Sequence, residues 1–128
     1  MILLDTCALL WLDSDRDLLS TESLKHLEHY ANAIAVSPIS FMEIGIKAGK
    51  GRIVLPMSLE KWTDKICDKY SLTVLPITRN IAVKASTLPE IHRDPFDRII
   101  IATAALNRLK IVTADKVFAE YGEIKVIW

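Results

Sequence analysis

Residues 92–115, HRDPFDRIIIATAALNRLKIVTAD, carry the pattern that decides the fold. Apolar residues recur every three or four positions across 95–109, which predicts a helix, and the short apolar run at 110–112 predicts a strand directly after it. Aspartates stand at the start of the helix and just beyond the strand. The same alternation of short apolar strands and helices continues along the rest of the chain.

The apolar runs predict five short strands, at residues 2–4, 33–36, 72–75, 110–112 and 125–127. Helical spacings lie between them, at about 7–13, 20–31, 38–49, 58–70, 78–86, 95–109 and 116–121. Strands that are apolar on both faces need a cover on each side, so the alternation predicts an α/β fold, a three-layer α/β/α domain with a central parallel sheet. With no linker in the sequence, we predict one domain spanning residues 1–128.

Composition excludes some classes of protein. Hydrophobic residues make up 51% of the chain, but no run reaches the roughly 18 apolar residues of a membrane span. The opening MILLDTCALLWLDSD has no basic segment before its apolar part, so we predict no secretory signal and a cytoplasmic location. Cys7 and Cys67 have apolar neighbours and are predicted to pack in the core, not to form a disulfide or metal site.

The net charge is zero, with 16 basic and 16 acidic residues, and gives no sign of a nucleic-acid binder. A polyanionic substrate is still compatible with it, because carboxylates that hold a divalent ion are locally much less negative than their formal charge.

Two aspartates follow predicted strands. Asp5 ends the run ILLD and Asp115 ends IVTAD. Because the carboxyl ends of parallel strands meet at one edge of the sheet, where such folds bind ligands, both side chains are expected there. The alternative is that each aspartate simply caps the helix after its strand.

Glu43 lies in SPISFMEIGIKAGKG, a predicted helix with an apolar stripe at Ile39, Met42 and Ile46. Its position places it on or beside that stripe, toward the core. An unpaired buried carboxylate is costly, so this side chain requires a cation or hydrogen-bond partners. The alternative is an ordinary glutamate at the edge of the helix.

The helix in residues 95–109 has Asp94 at its N-cap and Asp97 at its third position. Asp94 is explained by capping. Asp97 fits a capping box, but it also shares the face of Ile100, Ile101 and Ala104, which points its carboxylate toward the edge of the sheet.

Four acids, Asp5, Glu43, Asp97 and Asp115, are therefore predicted to converge from separate segments, with few basic residues to neutralise them. Such a cluster requires a metal. Hard oxygen ligands without His or Cys favour Mg²⁺ or Mn²⁺ over zinc.

The phrases LLDTCALLW, SPISFMEIGIKAGKGRI, HRDPFDRIIIATA and IVTAD, in this order and spacing, resemble the PIN domain, and most closely the VapC-type toxins of bacterial toxin–antitoxin pairs. The resemblance covers essentially the whole chain. It implies a metal-dependent endoribonuclease whose acidic residues fall at Asp5, Glu43, Asp97 and, less strictly, Asp115. It also implies an RNA substrate, a cognate antitoxin and a homodimer.

The family often carries hydroxyl residues beside its acids, and these positions are filled here by Thr6 and Thr113. Both, with Asp94, are expected to support the metal ligands. Cys7 departs from the family pattern, since many relatives have a polar residue or histidine there.

Lys47, Arg93 and Arg98 lie near the acids in the sequence and could contact RNA phosphates, although Lys47 and Arg98 also fit solvated helix faces. Thr6 and Ser40 have no histidine base nearby, which disfavours a hydrolase triad. His92 is predicted to be a loop or phosphate-contacting residue, not a general base.

Self-association is predicted from the apolar excess and from residues outside obvious core positions, which are Trp11, Leu12, Met57 and Trp62. Two other functions compete with the nuclease. A catalytically silent PIN-like binding module would be expected to have lost some of the acids, and all four are present. A phosphatase with an aspartyl-phosphate intermediate would require a second aspartate two residues after Asp5, where Cys7 stands.

Overall fold

A five-stranded parallel sheet forms the centre of the protein in the computed structural model, which describes residues 1–128. The strands are β1 (Ile2–Leu4), β2 (Ile34–Val36), β3 (Thr73–Val74), β4 (Lys110–Val112) and β5 (Lys125–Ile127). Their order in the sheet is β3-β2-β1-β4-β5, with every neighbouring pair parallel. All five predicted strands are confirmed, and β1, the central strand, pairs with β2 on one side and β4 on the other.

Six α-helices surround the sheet: α1 (Thr6–Ser14), α2 (Thr21–His29), α3 (Pro38–Gly49), α4 (Leu59–Lys69), α5 (Arg79–Thr87) and α6 (Pro95–Asn107). Each begins at a side-chain cap that accepts a backbone N–H, as hydroxyl and carboxylate caps do. The capping residues, in chain order, are Asp5, Ser20, Ser37, Ser58, Thr78 and Asp94.

The two faces of the sheet bury separate apolar clusters. Ile2 and Leu4 of β1 pack with α1, α2 and α4 on one face, whereas Leu3 packs with α5 and α6 on the other. This alternation follows from the two-residue period of a strand. Helix α3 contributes to both clusters, through Ile44 and Ile39 respectively. The predicted three-layer α/β/α fold is confirmed.

One predicted helix is wrong. Residues Lys116–Glu120 form a 3₁₀ helix, with Phe118 N–H bonded to the Asp115 carbonyl, in place of an α-helix over 116–121. A second 3₁₀ helix, Arg16–Leu18, was not predicted. Both are single short turns of three and five residues, and the 3₁₀ form is common in pieces of this length.

Several apolar side chains lie elsewhere than predicted. Leu12 and Trp62 are only 2% exposed and belong to the core, and the Trp62 indole N–H donates to Asp13 Oδ2 at 3.0 Å. Cys7 is exposed and Cys67 half-buried, so the prediction that both pack in the core is wrong. Cys7 is exposed because it lies on the face of α1 away from the buried residues Thr6, Ala8, Leu9 and Leu12. No helix combines the length and apolar content needed to cross a bilayer.

Candidate metal centre

Asp5 lies at the edge of the sheet, between β1 and α1. Its Oδ1 accepts the N–H of Ala8 at 2.8 Å, and its Oδ2 accepts the hydroxyl of Thr113, at the end of β4. Burial raises the pKa of the Asp5 carboxyl to about 6, against these two hydrogen bonds, and the charges of Asp115 and Glu43 raise it further. Asp5 therefore caps α1 and also faces other acids.

Glu43 is buried on α3, at 8% exposure, as its predicted core-side position requires. The predicted stripe is nevertheless wrong, because Met42 is 56% and Ile46 38% exposed. The buried residues of α3 are Ile39, Ser40, Glu43 and Ile44. This face differs from the predicted one because α3 packs beside both α1 and α6 at the end of the sheet.

The two oxygens of Glu43 differ in their partners. Oε2 accepts Lys47 Nζ at 2.9 Å, and this hydrogen bond raises the pKa of the Lys47 ammonium above its ordinary value. Oε1 is fully buried and has no hydrogen-bond partner. An unpaired buried carboxylate oxygen costs free energy, so this atom fits a cation ligand.

Asp97 and Asp94 occupy the first turn of α6 in different roles. Asp94 Oδ1 accepts the N–H groups of Phe96 at 2.8 Å and Asp97 at 3.4 Å, as predicted for a cap. Burial raises the pKa of the Asp97 carboxyl to about 7, and the negative charge of Asp94 raises it too. The contact with His92 lowers this pKa, whereas the charges of Glu43 and Asp5 raise it. The charges of three other acids therefore reach Asp97.

His92 lies between two of the acids. Its Nε2 is 2.9 Å from Asp97 Oδ2 and 3.2 Å from Asp115 Oδ2. Ligand atoms of these three side chains lie within 4.8 Å of one another, close enough for one metal ion. His92 therefore lies in the loop before α6, as predicted, and the structure places its ring among the acids.

Asp115 and Thr113 complete the cluster at the end of β4. Asp115 Oδ1 caps the 3₁₀ helix through the N–H of Val117 at 2.9 Å, and its own N–H donates to Thr113 Oγ1 at 3.0 Å. Thr113 therefore contacts two acids, whereas the Thr6 hydroxyl donates to Ser40 Oγ at 3.0 Å and ties α1 to α3. Lys47 and His92 are the basic residues that contact these acids.

The Arg98 side chain is hydrogen-bonded to main-chain carbonyls. Its guanidinium donates to four carbonyls at 2.7–3.1 Å, that of Ala85 in α5 and those of Leu88, Pro89 and His92 in the segment between α5 and α6. Neither predicted role, an RNA contact or a solvated helix face, agrees with this arrangement. Sequence patterns do not indicate this role, because the acceptors are main-chain carbonyls of α5 and of the irregular segment that follows it.

Residues 2–124 match the PIN domain. The chain belongs to the PIN domain family. It is 31% identical over 116 residues to ribonuclease VapC22 of Mycobacterium tuberculosis, a match that covers 90% of this chain and 87% of the relative. The predicted resemblance to VapC-type toxins is thereby confirmed.

Solved structures with this PIN fold include a toxin–antitoxin complex from Klebsiella pneumoniae, with a TM-score of 0.69 and 28% identity over 97% of this chain and 95% of that one. VapBC2 from Rickettsia felis, bound to a promoter DNA fragment, has a TM-score of 0.70 at 16% identity, over 98% and 97% of the two chains. The second likeness concerns the fold alone.

Proposed function

We propose that this PIN domain, spanning residues 1–128, is a metal-dependent endoribonuclease and the toxin of a type II toxin–antitoxin pair. The observation that carries the proposal is the buried Glu43 oxygen without a partner, in a cluster with Asp5, Asp97 and Asp115. Kinship with ribonuclease VapC22 supports RNA as the substrate. Mg²⁺ and Mn²⁺ suit such oxygen ligands.

Four acids would hold the ion, namely Asp5, Glu43, Asp97 and Asp115. When bound, it would activate water and stabilise charge on the oxygens of the phosphodiester. The protein's own part is to position these ligands. Thr113 fixes Asp5 and the backbone of Asp115, Asp94 fixes the start of α6 ahead of Asp97, and Lys47 holds one oxygen of Glu43.

RNA phosphates would be contacted by basic side chains around the acids. Arg93 is exposed beside His92, in a polar cavity of about 350 Å³ that Ser86 and Glu90 also line. Lys47, about one-third exposed, has two ammonium hydrogens beyond its bond to Glu43. Contacts of this kind position a nucleic acid without reading its bases.

The metal requirement is tested by cleavage of a labelled RNA with Mg²⁺, with Mn²⁺ and in excess EDTA, using Asp97→Asn as the inactive control. We expect cleavage with metal and none in chelator. Undiminished cleavage in EDTA would contradict a metal-dependent mechanism. A folded parent protein that binds Mn²⁺ but cleaves no RNA would favour the catalytically silent module.

For partners, we propose a cognate antitoxin, as the toxin–antitoxin complex from Klebsiella pneumoniae suggests, and a cytoplasmic location for the pair. We also propose a homodimer. Leu12 and Trp62 no longer support it, but Met42, Val54 and Val83 are apolar side chains more than half exposed. Light scattering of the protein without antitoxin tests this, and a monomer at micromolar concentration would contradict it.

A further inference from the structure

His92 joins acids from two different parts of the fold. Asp97 belongs to α6, and Asp115 follows β4, yet one nitrogen of His92 lies within hydrogen-bonding distance of both, at 2.9 Å and 3.2 Å. Asp115 is the more exposed of the two, with 40% of its side chain accessible. Its Oδ1 is held by the N–H of Val117, and His92 provides the contact to its Oδ2.

The position of His92 is itself fixed by several contacts. Its N–H donates to the hydroxyl of Tyr121 at 2.8 Å, and that hydroxyl donates to the Pro89 carbonyl at 2.9 Å. Its carbonyl accepts Arg98 Nη1 at 3.0 Å, and its ring packs edge-on against Phe118, with centroids 5.6 Å apart. The backbone and the ring of His92 are thus held from three sides.

The hydrogen of the imidazole faces the acids. The N–H of Asp94 lies 3.4 Å from His92 Nδ1, and the tautomer in which Nδ1 accepts this hydrogen carries its own hydrogen on Nε2. Nε2 is the atom that lies between Asp97 and Asp115. His92 therefore donates to the carboxylates and offers them no lone pair in this tautomer.

We infer that His92 is a positioning residue: its Nε2–H holds Asp97 and Asp115 in the arrangement that receives the cation, without binding the ion itself. The inference rests on the proposed metal site and adds a residue to it. A donor between two carboxylates offsets their repulsion and fixes their orientation, and partners of this kind typically contribute 10–100-fold to metal affinity.

The test compares His92→Ala with His92→Gln, because the glutamine amide keeps an N–H donor at about the reach of Nε2. Mn²⁺ affinity is measured by calorimetry on each variant, and nitrogen coupling to bound Mn²⁺ by pulsed electron paramagnetic resonance. We expect His92→Ala to bind Mn²⁺ about 10–100-fold more weakly, His92→Gln to retain most of the affinity, and no imidazole coupling in the parent.

Tyr121→Phe provides a second variant that leaves the imidazole in place. It removes both hydrogen bonds of the Tyr121 hydroxyl, so Mn²⁺ affinity should fall in the same direction but less than in His92→Ala. This comparison keeps the test decisive if His92→Ala fails to fold.

Two results would overturn the inference. Imidazole coupling in the parent that disappears in His92→Gln would make His92 a ligand. Parental affinity in a folded His92→Ala protein, or in Tyr121→Phe where His92→Ala does not fold, would leave His92 without a role. A parent protein that binds no Mn²⁺ at all would instead overturn the metal site under the proposed function.

Discussion

The hydroxyl of Thr113 donates to Asp5 Oδ2, although 108 positions separate the two residues in the sequence. They meet because β1 and β4 are adjacent parallel strands, paired from Ile2 with Lys110 to Leu4 with Val112, so their carboxyl ends lie side by side. The same hydroxyl accepts the N–H of Asp115. One buried threonine thus connects two of the proposed metal ligands.

Thr113→Val keeps the shape of this side chain and removes its hydroxyl. Asp5 loses a hydrogen bond to a buried carboxylate and Asp115 N–H loses its acceptor, so we expect the free energy of unfolding to fall by about 1.5–3 kcal/mol. We also expect Mn²⁺ affinity to fall by about 10–100-fold. Denaturant unfolding and calorimetry measure the two effects.

Thr113→Ser is the matched control, because it restores the hydroxyl and loses only a methyl group. It should recover most of the metal affinity. If valine and serine variants bind Mn²⁺ equally well, the hydroxyl has no part in the site.

Stability without metal should fall as the pH rises. Burial raises the pKa of Asp5 to about 6 and that of Asp97 to about 7, both from an ordinary value of 3.8. Between pH 4 and 7 the folded protein therefore binds more protons than the unfolded chain, and its free energy of unfolding decreases with increasing pH. Thermal unfolding in EDTA should give a higher melting temperature at pH 5 than at pH 8.

At pH 8, Mn²⁺ should raise the melting temperature above its value in EDTA, because the bound cation compensates the charge of the ionised carboxylates. Asp97→Asn should have a flatter pH profile in EDTA than the parent, since one of the two shifted groups is gone. A melting temperature in EDTA that rises from pH 5 to pH 8 would contradict the burial of these charges.

The sequence is sufficient to predict the position of a residue when that position follows from a regular helix or strand. Asp5 and Asp115 were located by strand ends, and Asp97 by the face of Ile100 and Ile101, both of which are fully buried. Glu43 was correctly predicted to be buried, although from the wrong stripe, because a helix that packs on two neighbours buries a different face from one that packs on a sheet alone.

The contacts of His92 and Arg98 were beyond sequence reasoning for one physical reason. Both depend on the path of residues 88–94, an irregular segment held by side chain to main chain hydrogen bonds. Periodicity carries no information on such a path, and any arginine near an acid cluster resembles a phosphate contact until its acceptors are known.

Substitution by glutamine should affect RNA binding at Arg93 and folding stability at Arg98. Arg93 is exposed, so Arg93→Gln should change the free energy of unfolding by no more than about 0.5 kcal/mol. The same variant should bind RNA more weakly, and the slope of log affinity against log salt concentration should be smaller by about one. Arg98→Gln removes a guanidinium bonded to four carbonyls and should cost about 2–4 kcal/mol of stability.

Filter binding at several salt concentrations and denaturant unfolding separate these effects. Arg98→Lys serves as a control, because it keeps the charge but not the fork of donors. We expect it to be destabilised like Arg98→Gln. A fully stable Arg98→Lys protein would show that the carbonyl contacts matter little.

Asp94 and Asp97 lie three residues apart, and replacing each by asparagine should distinguish helix capping from metal binding. Asparagine remains a competent N-cap, so Asp94→Asn should fold nearly as well as the parent and lose only part of its RNA cleavage, through the loss of one nearby negative charge. Asp97→Asn removes a proposed ligand, and its cleavage activity should fall by orders of magnitude.

The stability of Asp97→Asn should move in the opposite direction from its activity. Ionised Asp97 is disfavoured in the folded protein, as its pKa of about 7 indicates, so replacing it with a neutral amide should raise the melting temperature at pH 8 in EDTA. Mn²⁺ should then stabilise this variant much less than it stabilises the parent or Asp94→Asn. Thermal unfolding with and without Mn²⁺, beside a ribonuclease assay, measures both properties. An Asp97→Asn protein that cleaves RNA at a near-parental rate would reduce Asp97 to a residue of the first helical turn and remove it from the metal site.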